Sequence, residues 1–249
     1  MKFALLILAA ATLYEQSVAR LLGERFSEPH ISHLFVRVPT GEILGERWPD
    51  ASRPVAPGSL VKVFTALAYG ETHGNQFPEL VCGNNSGCWR PRGHGKIGIV
   101  EAVAHSCNTY FRVLAEGVSV EDVAAAARRY GIEPPPAHAA AEALVGIGAE
   151  WKVTPVSLAR AYCRLASDPA AAVVVRGLAL SAVSGTGRAA KFGLVKTGTA
   201  PCVHQPRAPG DGFAIVMYPA SAPKYVLLVR VHGTTGARAA EIAATGLPR

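Results

Sequence analysis

Hydrophobic and polar positions divide the chain into strand-like ends with helical segments between them. Residues 33–38 and 43–48 are predicted to be strands, and the turn Pro39-Thr40-Gly41-Glu42 between them is typical of a hairpin. Later strands are predicted at 193–199, 212–218 and 225–232, and a closing helix at 237–246. We expect the first and last strands to share one antiparallel sheet, which makes the chain an α+β protein.

Helix signals are strongest in the middle of the chain. Ser119 is a predicted N-cap with Asp122 three residues later, and Gly131 ends that helix. Thr154 and Pro155 form an N-cap and first-turn pair that opens another helix. Further helices are predicted at 98–104, from 108 onwards and at 171–183. Residues 72–97, rich in Gly, Asn and Pro, are predicted to be an irregular connection.

Composition places the chain among globular proteins. Its 249 residues are 49% hydrophobic, which is enough for one domain with a substantial core. The formal net charge of +7 is compatible with an anionic partner. There is no run of basic residues interleaved with aromatic ones, so we expect no nucleic-acid partner.

The N-terminus has the pattern of a secretory signal. Lys2 precedes an apolar run from Phe3 to Leu13, and Ser17-Val18-Ala19 supplies small residues before a cleavage point after Ala19. This predicts a signal peptide at 1–19, a single domain at 20–249 and an exported, periplasmic or extracytoplasmic protein. The alternative is a retained helix on the membrane surface.

Five cysteines are present, and two of them bracket a loop. Cys82 and Cys88 enclose residues 83–87, so in an oxidising compartment a small disulfide hairpin is predicted. The alternative is a zinc site made by Cys82, Cys88, His94 and Cys107, whose mixed sulfur and nitrogen ligands suit zinc.

The turn Pro57-Gly58 leads into a candidate nucleophile. Ser59 opens a run with helical spacing, and Lys62 lies one turn further on the same face. A serine hydroxyl needs a base to take its proton, and a lysine with a lowered pKa is such a base. The pair alone is also compatible with a helix cap followed by a surface lysine.

Three motifs in order strengthen this interpretation. Ser59-Leu60-Val61-Lys62 is followed by Ser106-Cys107-Asn108 and then by Lys196-Thr197-Gly198. The order matches the motif set of penicillin-binding proteins and class A β-lactamases, with Cys107 where the second motif has Asp. Taken singly, the second motif is compatible with helix capping and the third with a plain strand end. Together, the motifs resemble the transpeptidase domain of penicillin-binding proteins.

The resemblance extends over residues 33–247. The segments that carry it outside the three motifs are Gly93-His94-Gly95, Thr109-Tyr110-Phe111, Gly146-Ile147-Gly148, Val153-Thr154-Pro155, Leu158-Ala159-Arg160-Ala161-Tyr162, Ser184-Gly185-Thr186-Gly187 and Thr199-Ala200. Val195 departs from the family's glycine before the third motif, and the strand at 212–217 lacks its Trp-Phe-x-Gly-like pattern. The implied fold is an antiparallel sheet flanked by helices with an inserted, mainly helical subdomain.

The resemblance implies a role for each motif residue. Ser59 would attack a carbonyl, and Lys62 would take its proton. Ser106 would pass a proton to the leaving amine, and Asn108 would hold the substrate amide and the lysine. On the third motif, Lys196 would supply positive charge beside the pocket. The implied substrate-binding residues are Thr197, Gly198 and Thr199, and the backbone N–H groups of Ser59 and Thr199 would form the oxyanion hole.

The sequence therefore predicts a serine D,D-transpeptidase that acts on peptidoglycan stem peptides and binds β-lactams, with cell-wall synthesis proteins as partners and no cofactor. A D,D-carboxypeptidase would use the same residues with water as the acceptor. A β-lactamase needs a water-activating group, but no E-x-x-L-N segment occurs, and Glu142-Ala143-Leu144-Val145 does not fit. A penicillin-binding sensor or non-catalytic partner is the alternative from another class.

Other polar and aromatic residues are predicted to be structural. His94, His105 and His204 have no obvious partner in the sequence, although His94 belongs to the resemblance. Trp89 and Trp151 are predicted to pack rather than to contact a ligand.

Overall fold

The computed structural model describes residues 2–202 and 209–247, with side chains described from Thr12 onwards. The helices are α1 (Lys2–Arg25), α2 (Lys62–Thr72), α3 (Ile99–His105), α4 (Asn108–Glu116), α5 (Val120–Tyr130), α6 (Ala141–Leu144), α7 (Pro155–Ser167), α8 (Ala172–Ser184) and α9 (Gly236–Gly246). The strands are β1 (Ile31–Arg37), β2 (Ile43–Arg47), β3 (Leu80–Cys82), β4 (Gly95–Ile97), β5 (Leu194–Ala200), β6 (Asp211–Tyr218) and β7 (Tyr225–His232).

Five strands form one antiparallel sheet in the order β2-β1-β7-β6-β5. Leu34 of β1 lies opposite Leu228 of β7, so the first and last strands share the sheet as predicted. The α+β fold is confirmed, and the predicted 193–199, 212–218 and 225–232 strands are β5, β6 and β7 within a residue or two. Within the connection at 72–97, the short hairpin of β3 and β4 was not predicted.

Local hydrogen bonds explain why the helix ends were predictable. Ser119 Oγ accepts from the backbone N–H of Asp122, and the Asp122 carboxylate accepts from the Ser119 N–H in return. Thr154 Oγ1 accepts from the N–H of Ser157 at the start of α7. These bonds satisfy N–H groups that a helix leaves without partners at its start.

Helices cover both faces of the sheet. Helices α1 and α9 lie on one face, where Leu22, Phe35 and Ala243 belong to one buried cluster. On the other face a larger core joins the sheet to the mainly helical part, and it contains Phe64, Phe111 and Tyr162. The third motif on β5 therefore lies beside the helical part.

The second half of α1 is part of the folded domain. Glu15 is 7% exposed and its carboxylate pairs with Arg37 Nη2 of β1 at 2.6 Å. Val18 and Leu22 are buried in the same interface. The predicted signal peptide at 1–19 thus contains residues that the domain buries. Among the described residues, no single helix is long and apolar enough to cross a membrane, although α7 and the helical segment that follows it pass that test as a pair bent by 91°.

Candidate active site

The candidate nucleophile lies on a tight turn. Gly58–Val61 form one turn of 3-10 helix, and α2 begins at Lys62 rather than at Ser59. Ser59 is half-buried, and Tyr162 Oη donates a 2.9 Å hydrogen bond to the carbonyl of Leu60 beneath it. Ser59 thus faces a cavity, and the hydrogen bond from Tyr162 holds its turn in place.

Two glycines allow this turn to be packed closely. Gly58 has a φ of 59°, and a Cβ there would lie 2.5 Å from the carbonyl oxygen of Thr199. A Cβ at Gly146 would lie 2.1 Å from the carbonyl oxygen of Gly58. Real Cβ atoms do not come this close, so glycine is required for β5 and the 146–148 segment to approach the nucleophile turn.

The second motif joins two helices at a sharp bend. Ser106 ends α3 in the left-handed conformation with a φ of 52°, and Asn108 begins α4. Neither side chain caps a helix. Instead, Asn108 Oδ1 accepts a 2.5 Å hydrogen bond from Lys62 Nζ. The bend therefore turns the Asn108 side chain towards the first motif.

Ser106 lies between two buried lysines. Lys62 Nζ donates to the Ser106 carbonyl at 3.1 Å, and Lys196 Nζ donates to Ser106 Oγ at 2.9 Å. Lys196 also donates to the carbonyl of Thr197 at 2.7 Å. All three predicted motifs thus meet at one point, although in the described chain the Ser59 hydroxyl forms no hydrogen bond. Hydrogen bonds of catalytic groups often form only when substrate is bound.

Burial changes the proton affinity of both lysines. It lowers the pKa of Lys62 to about 7, an effect that the Arg112 charge reinforces and nearby cysteines oppose. It also holds the pKa of Lys196 well below its ordinary value, with the charge of Lys62 as the second cause. Two adjacent buried ammonium groups repel each other, so the pair does not readily carry two charges. A neutral Lys62 can accept a proton near neutral pH.

A cavity of about 590 Å³ lies at the meeting point of the three motifs. Its lining includes Ser59, Ser106, Asn108, Thr197, Gly198 and Thr199. Thr197 Oγ1 donates to Thr186 Oγ1 at 2.6 Å, and Thr199 Oγ1 accepts from the N–H of Gly236 at 2.9 Å. Six of the eight predicted site residues thus line one cleft, while Lys62 and Lys196 lie buried beside it.

Close packing against the candidate nucleophile turn accounts for the glycine at position 198. A Cβ there would lie 2.6 Å from the carbonyl oxygen of Pro57 and 3.1 Å from Leu60 Cγ. The side that lacks a Cβ therefore faces the nucleophile turn. Its glycine is required by contact between β5 and that turn, whatever binds in the cleft.

A cluster of cysteine and histidine lies behind the second motif. Ligand atoms of Cys82, Cys88, His94 and Cys107 all lie within 4.8 Å of one another. The cysteines are free, so the predicted Cys82–Cys88 disulfide is wrong. The loop at 83–87 brings the two thiols together as expected, but towards a shared centre with His94 instead of towards each other.

The spacing of this cluster fits a tetrahedral zinc ion. His94 Nδ1 lies 3.6 Å from Cys82 Sγ and 3.6 Å from Cys88 Sγ, and Cys88 Sγ lies 3.8 Å from Cys107 Sγ. Zinc bonds of about 2.3 Å to sulfur and about 2.0 Å to nitrogen separate tetrahedral ligands by roughly 3.6–3.8 Å. Three thiolates and an imidazole can therefore hold zinc here without rearrangement. Cys107 would connect the ion to the turn between Ser106 and Asn108.

Some residues at the cleft were not predicted. Trp89, expected to be a packing residue, is 53% exposed and lines the cleft. Trp151 is buried, as expected. Thr186 reaches Thr197, and the only indication in the sequence was its place in the Ser184–Gly187 segment of the resemblance. His94 and His105 stack on each other, while His204 lies outside the described residues.

Comparisons with known proteins bear on the family and the fold. The model of the penicillin binding protein transpeptidase domain matches residues 47–247. The structure is similar to PBP2 of Pseudomonas aeruginosa, with a TM-score of 0.76, 18% identity and coverage of 92% of this chain and 72% of that one. It is also similar to a D,D-transpeptidase domain of a peptidoglycan glycosyltransferase from Eggerthella lenta, with a TM-score of 0.76, 16% identity and coverage of 92% and 79%.

A third similar structure is PBP2 of Helicobacter pylori in its complex with MreC. The TM-score is 0.77 at 15% identity, over 92% of this chain and 61% of that one. At these identities the likeness shows the fold alone, and this chain spans less than two thirds of the Helicobacter protein. No curated protein matches the chain.

Proposed function

Because the chain belongs to the family of penicillin binding protein transpeptidase domains, we propose that it is a serine D,D-transpeptidase that acts on peptidoglycan stem peptides through an acyl-enzyme on Ser59. The observation that carries this proposal is the junction of the three motifs at Ser106. Lys62 and Lys196 donate to that residue from opposite sides, 3.1 Å and 2.9 Å away, and Ser59 lines the same cleft.

Acylation uses these groups in a defined order. Ser59 Oγ attacks the carbonyl carbon of a D-alanyl-D-alanine bond, and its proton passes to neutral Lys62. The oxyanion accepts hydrogen bonds from the N–H groups of Ser59 and Thr199, each worth about 3 kcal/mol in such a site. The C–N bond then breaks, and the leaving amine takes a proton through Ser106. The products are an ester on Ser59 and free D-alanine.

Binding of the donor uses the β5 side of the cleft. A terminal carboxylate of the donor is held by the hydroxyls of Thr197 and Thr199, and its charge favours protonation of Lys196. Before substrate arrives, burial and Lys62 keep the pKa of Lys196 low. The donor carboxylate thus supplies the countercharge that the free site lacks.

The acceptor used in deacylation distinguishes a transpeptidase from the alternative enzymes. An amine acceptor gives transpeptidation, and water gives a D,D-carboxypeptidase or, with penicillin, a β-lactamase. Among the described residues that line the cleft there is no carboxylate to activate water. Glu142 is 54% exposed at its side chain and pairs with Arg112, which supports the amine as acceptor.

We also propose export to the periplasm or extracytoplasmic space, with cell-wall synthesis proteins as partners, as the Helicobacter PBP2 has MreC. Cleavage after Ala19 would remove Glu15 from its contact with Arg37. We therefore favour retention of residues 13–25 in the working protein, packed against the domain, over cleavage after Ala19. An intact mass corresponding to residues 20–249 would contradict that retention.

A reporter penicillin tests the nucleophile. The protein should take up one penicilloyl group, and a digest should place it on Ser59. Ser59→Ala should take up none, while Ser52→Ala, an exposed serine outside the cleft, should label like the wild type. Labelled Ser59→Ala would refute the assignment. Labelling without turnover of a D-alanyl-D-alanine peptide would instead favour a sensor.

A further inference from the structure

A second cavity of about 760 Å³ adjoins the catalytic cleft. Trp89, Thr186 and Ala237 line both cavities, so the two meet at these residues. The rest of the second cavity lies between the end of α8, the 184–191 turn and the first turns of α9. It is large enough for an amino acid or a short peptide segment.

Basic side chains dominate this second cavity. Arg90, Arg188 and Lys191 line it and are exposed. In the part of the chain that the structure describes, none of the three forms an ion pair. Glu241 also lines it, but Arg238 Nη1 lies 2.6 Å from its carboxylate. Unpaired positive charge in a concave site attracts an anionic ligand.

The Trp89 side chain lies where the two cavities meet, and two contacts fix its orientation. Its indole Nε1 donates a 3.0 Å hydrogen bond to the carbonyl of His105, and its ring meets His94 edge to face at 5.4 Å. Half of the side chain nevertheless stays exposed. An exposed indole whose orientation is already set can bind a ligand at little cost in side-chain entropy.

We propose that this basic groove is the acceptor subsite, and that it selects an amine that also carries a carboxylate, such as a peptide amine next to an acidic group. The inference rests on the proposed function, because it assigns the second substrate of the same site. The carboxylate would lie against Arg188 and Lys191, with the amine directed past Trp89 towards the acyl group on Ser59.

The same charges favour the reactive form of the amine. Nearby cations lower the pKa of an amine, so a larger fraction is neutral and able to attack. Its nitrogen forms a bond to the ester carbonyl carbon, and the bond from that carbon to Ser59 Oγ breaks. One amine proton passes through the Lys62 and Ser106 groups to Ser59 Oγ. The products are a new amide bond in the peptide and the regenerated hydroxyl of Ser59.

The test compares two acceptors that differ by one charge. A thioester analogue of an acylated D-alanyl-D-alanine peptide loads Ser59, and D-alanine or D-alaninamide then competes with water. Mass spectrometry of the products gives the ratio of amide to hydrolysed acid. We expect the wild type to prefer D-alanine, and Arg188→Glu with Lys191→Glu to reduce that preference about tenfold or more, the size expected for lost hydrogen bonds to a charged group.

Two controls accompany this comparison of acceptors. Arg176→Glu reverses one charge on exposed α8 surface outside the groove and should leave the preference intact. Added salt should weaken the wild-type preference and not the ratio for D-alaninamide. Equal use of the two acceptors by the wild type, or an unchanged preference in the double variant, would overturn the subsite. Failure of the thioester or penicillin to acylate Ser59 would overturn the proposed function itself.

Discussion

Lys196 Nζ donates a 2.9 Å hydrogen bond to Ser106 Oγ, from a strand to a helix end that lies 90 residues earlier in the chain. This bond joins the third motif to the second. Lys62, from the first motif, donates to the carbonyl of the same serine at 3.1 Å. Ser106 is therefore the residue at which both lysines meet, Lys62 at its backbone carbonyl and Lys196 at its hydroxyl.

Ser106→Ala should slow acylation without unfolding the protein. The variant removes the hydroxyl to which Lys196 donates, while Lys196 keeps its bond to the Thr197 carbonyl and Lys62 keeps its bond to the carbonyl of residue 106. Loss of a proton-transfer group costs about 10²–10⁴-fold in rate. Stopped-flow measurement with a reporter penicillin gives the rate constant, and Ser27→Ala, an exposed serine far from the cleft, is the matched control. An unchanged rate constant would exclude Ser106 from the proton path.

Acylation should depend on pH through Lys62. Burial lowers its pKa to about 7, so below this pH the amine is protonated and cannot take the Ser59 proton. The rate constant should rise about tenfold per pH unit below the pKa and level off above it, as expected for a general base. Lys62→Arg keeps the charge but stays protonated throughout, so it should be inactive at every pH tested. A flat wild-type profile through neutral pH would contradict this role.

The cysteine cluster should bind one zinc ion per chain. Protein purified without chelator should contain about one equivalent of zinc by elemental analysis, because the four ligand atoms lie within 4.8 Å of one another and three of their separations are 3.6–3.8 Å. His94→Ala should lower the zinc content and the melting temperature, and His138→Ala, an exposed histidine, should change neither. A linked Cys82–Cys88 peptide in a non-reducing digest, with no zinc, would restore the disulfide.

Gly58→Ala should be far more damaging than Gly74→Ala. Both glycines have a positive φ, 59° and 58°, so both substitutions cost about 1–2 kcal/mol of backbone strain. A Cβ at Gly58 would also lie 2.5 Å from the Thr199 carbonyl oxygen, whereas at Gly74 nothing lies within 4 Å. Denaturant unfolding measures the difference, and reporter-penicillin labelling should be lost only in the first variant. Equal stabilities would mean that the turn is not tightly packed.

The penicilloyl-enzyme should be long-lived. The described lining residues of the cleft include no carboxylate, and a missing general base leaves hydrolysis about 10²–10⁴-fold slower. Intact mass followed for hours after one dose of penicillin should show a persistent adduct on Ser59. Rapid return to the unmodified mass, with catalytic loss of the drug, would indicate a β-lactamase, and Glu142→Gln would then test whether that carboxylate activates the water.

Local interactions let the sequence predict most elements. The capping box of Ser119 and Asp122 and the Thr154–Pro155 start depend on atoms a few residues apart, and the structure shows both. The last three strands were predicted from apolar runs bounded by turns, and β5, β6 and β7 are buried along nearly their whole length. The helix start was misplaced at Ser59, because closure of a 3-10 turn against β5 is a tertiary contact.

By itself, then, the sequence determined the fold class, the order of the three motifs and the residues that compose the site. Only the tertiary structure decided how these residues meet: both lysines at Ser106, the thiols around His94 instead of in a disulfide, and Trp89 between two cavities. The physical reason is how far apart in the chain the interacting residues lie. Hydrogen bonds within a turn or a cap are encoded by neighbours, whereas burial, pKa and ligand geometry sum contributions from segments that meet only when the chain folds.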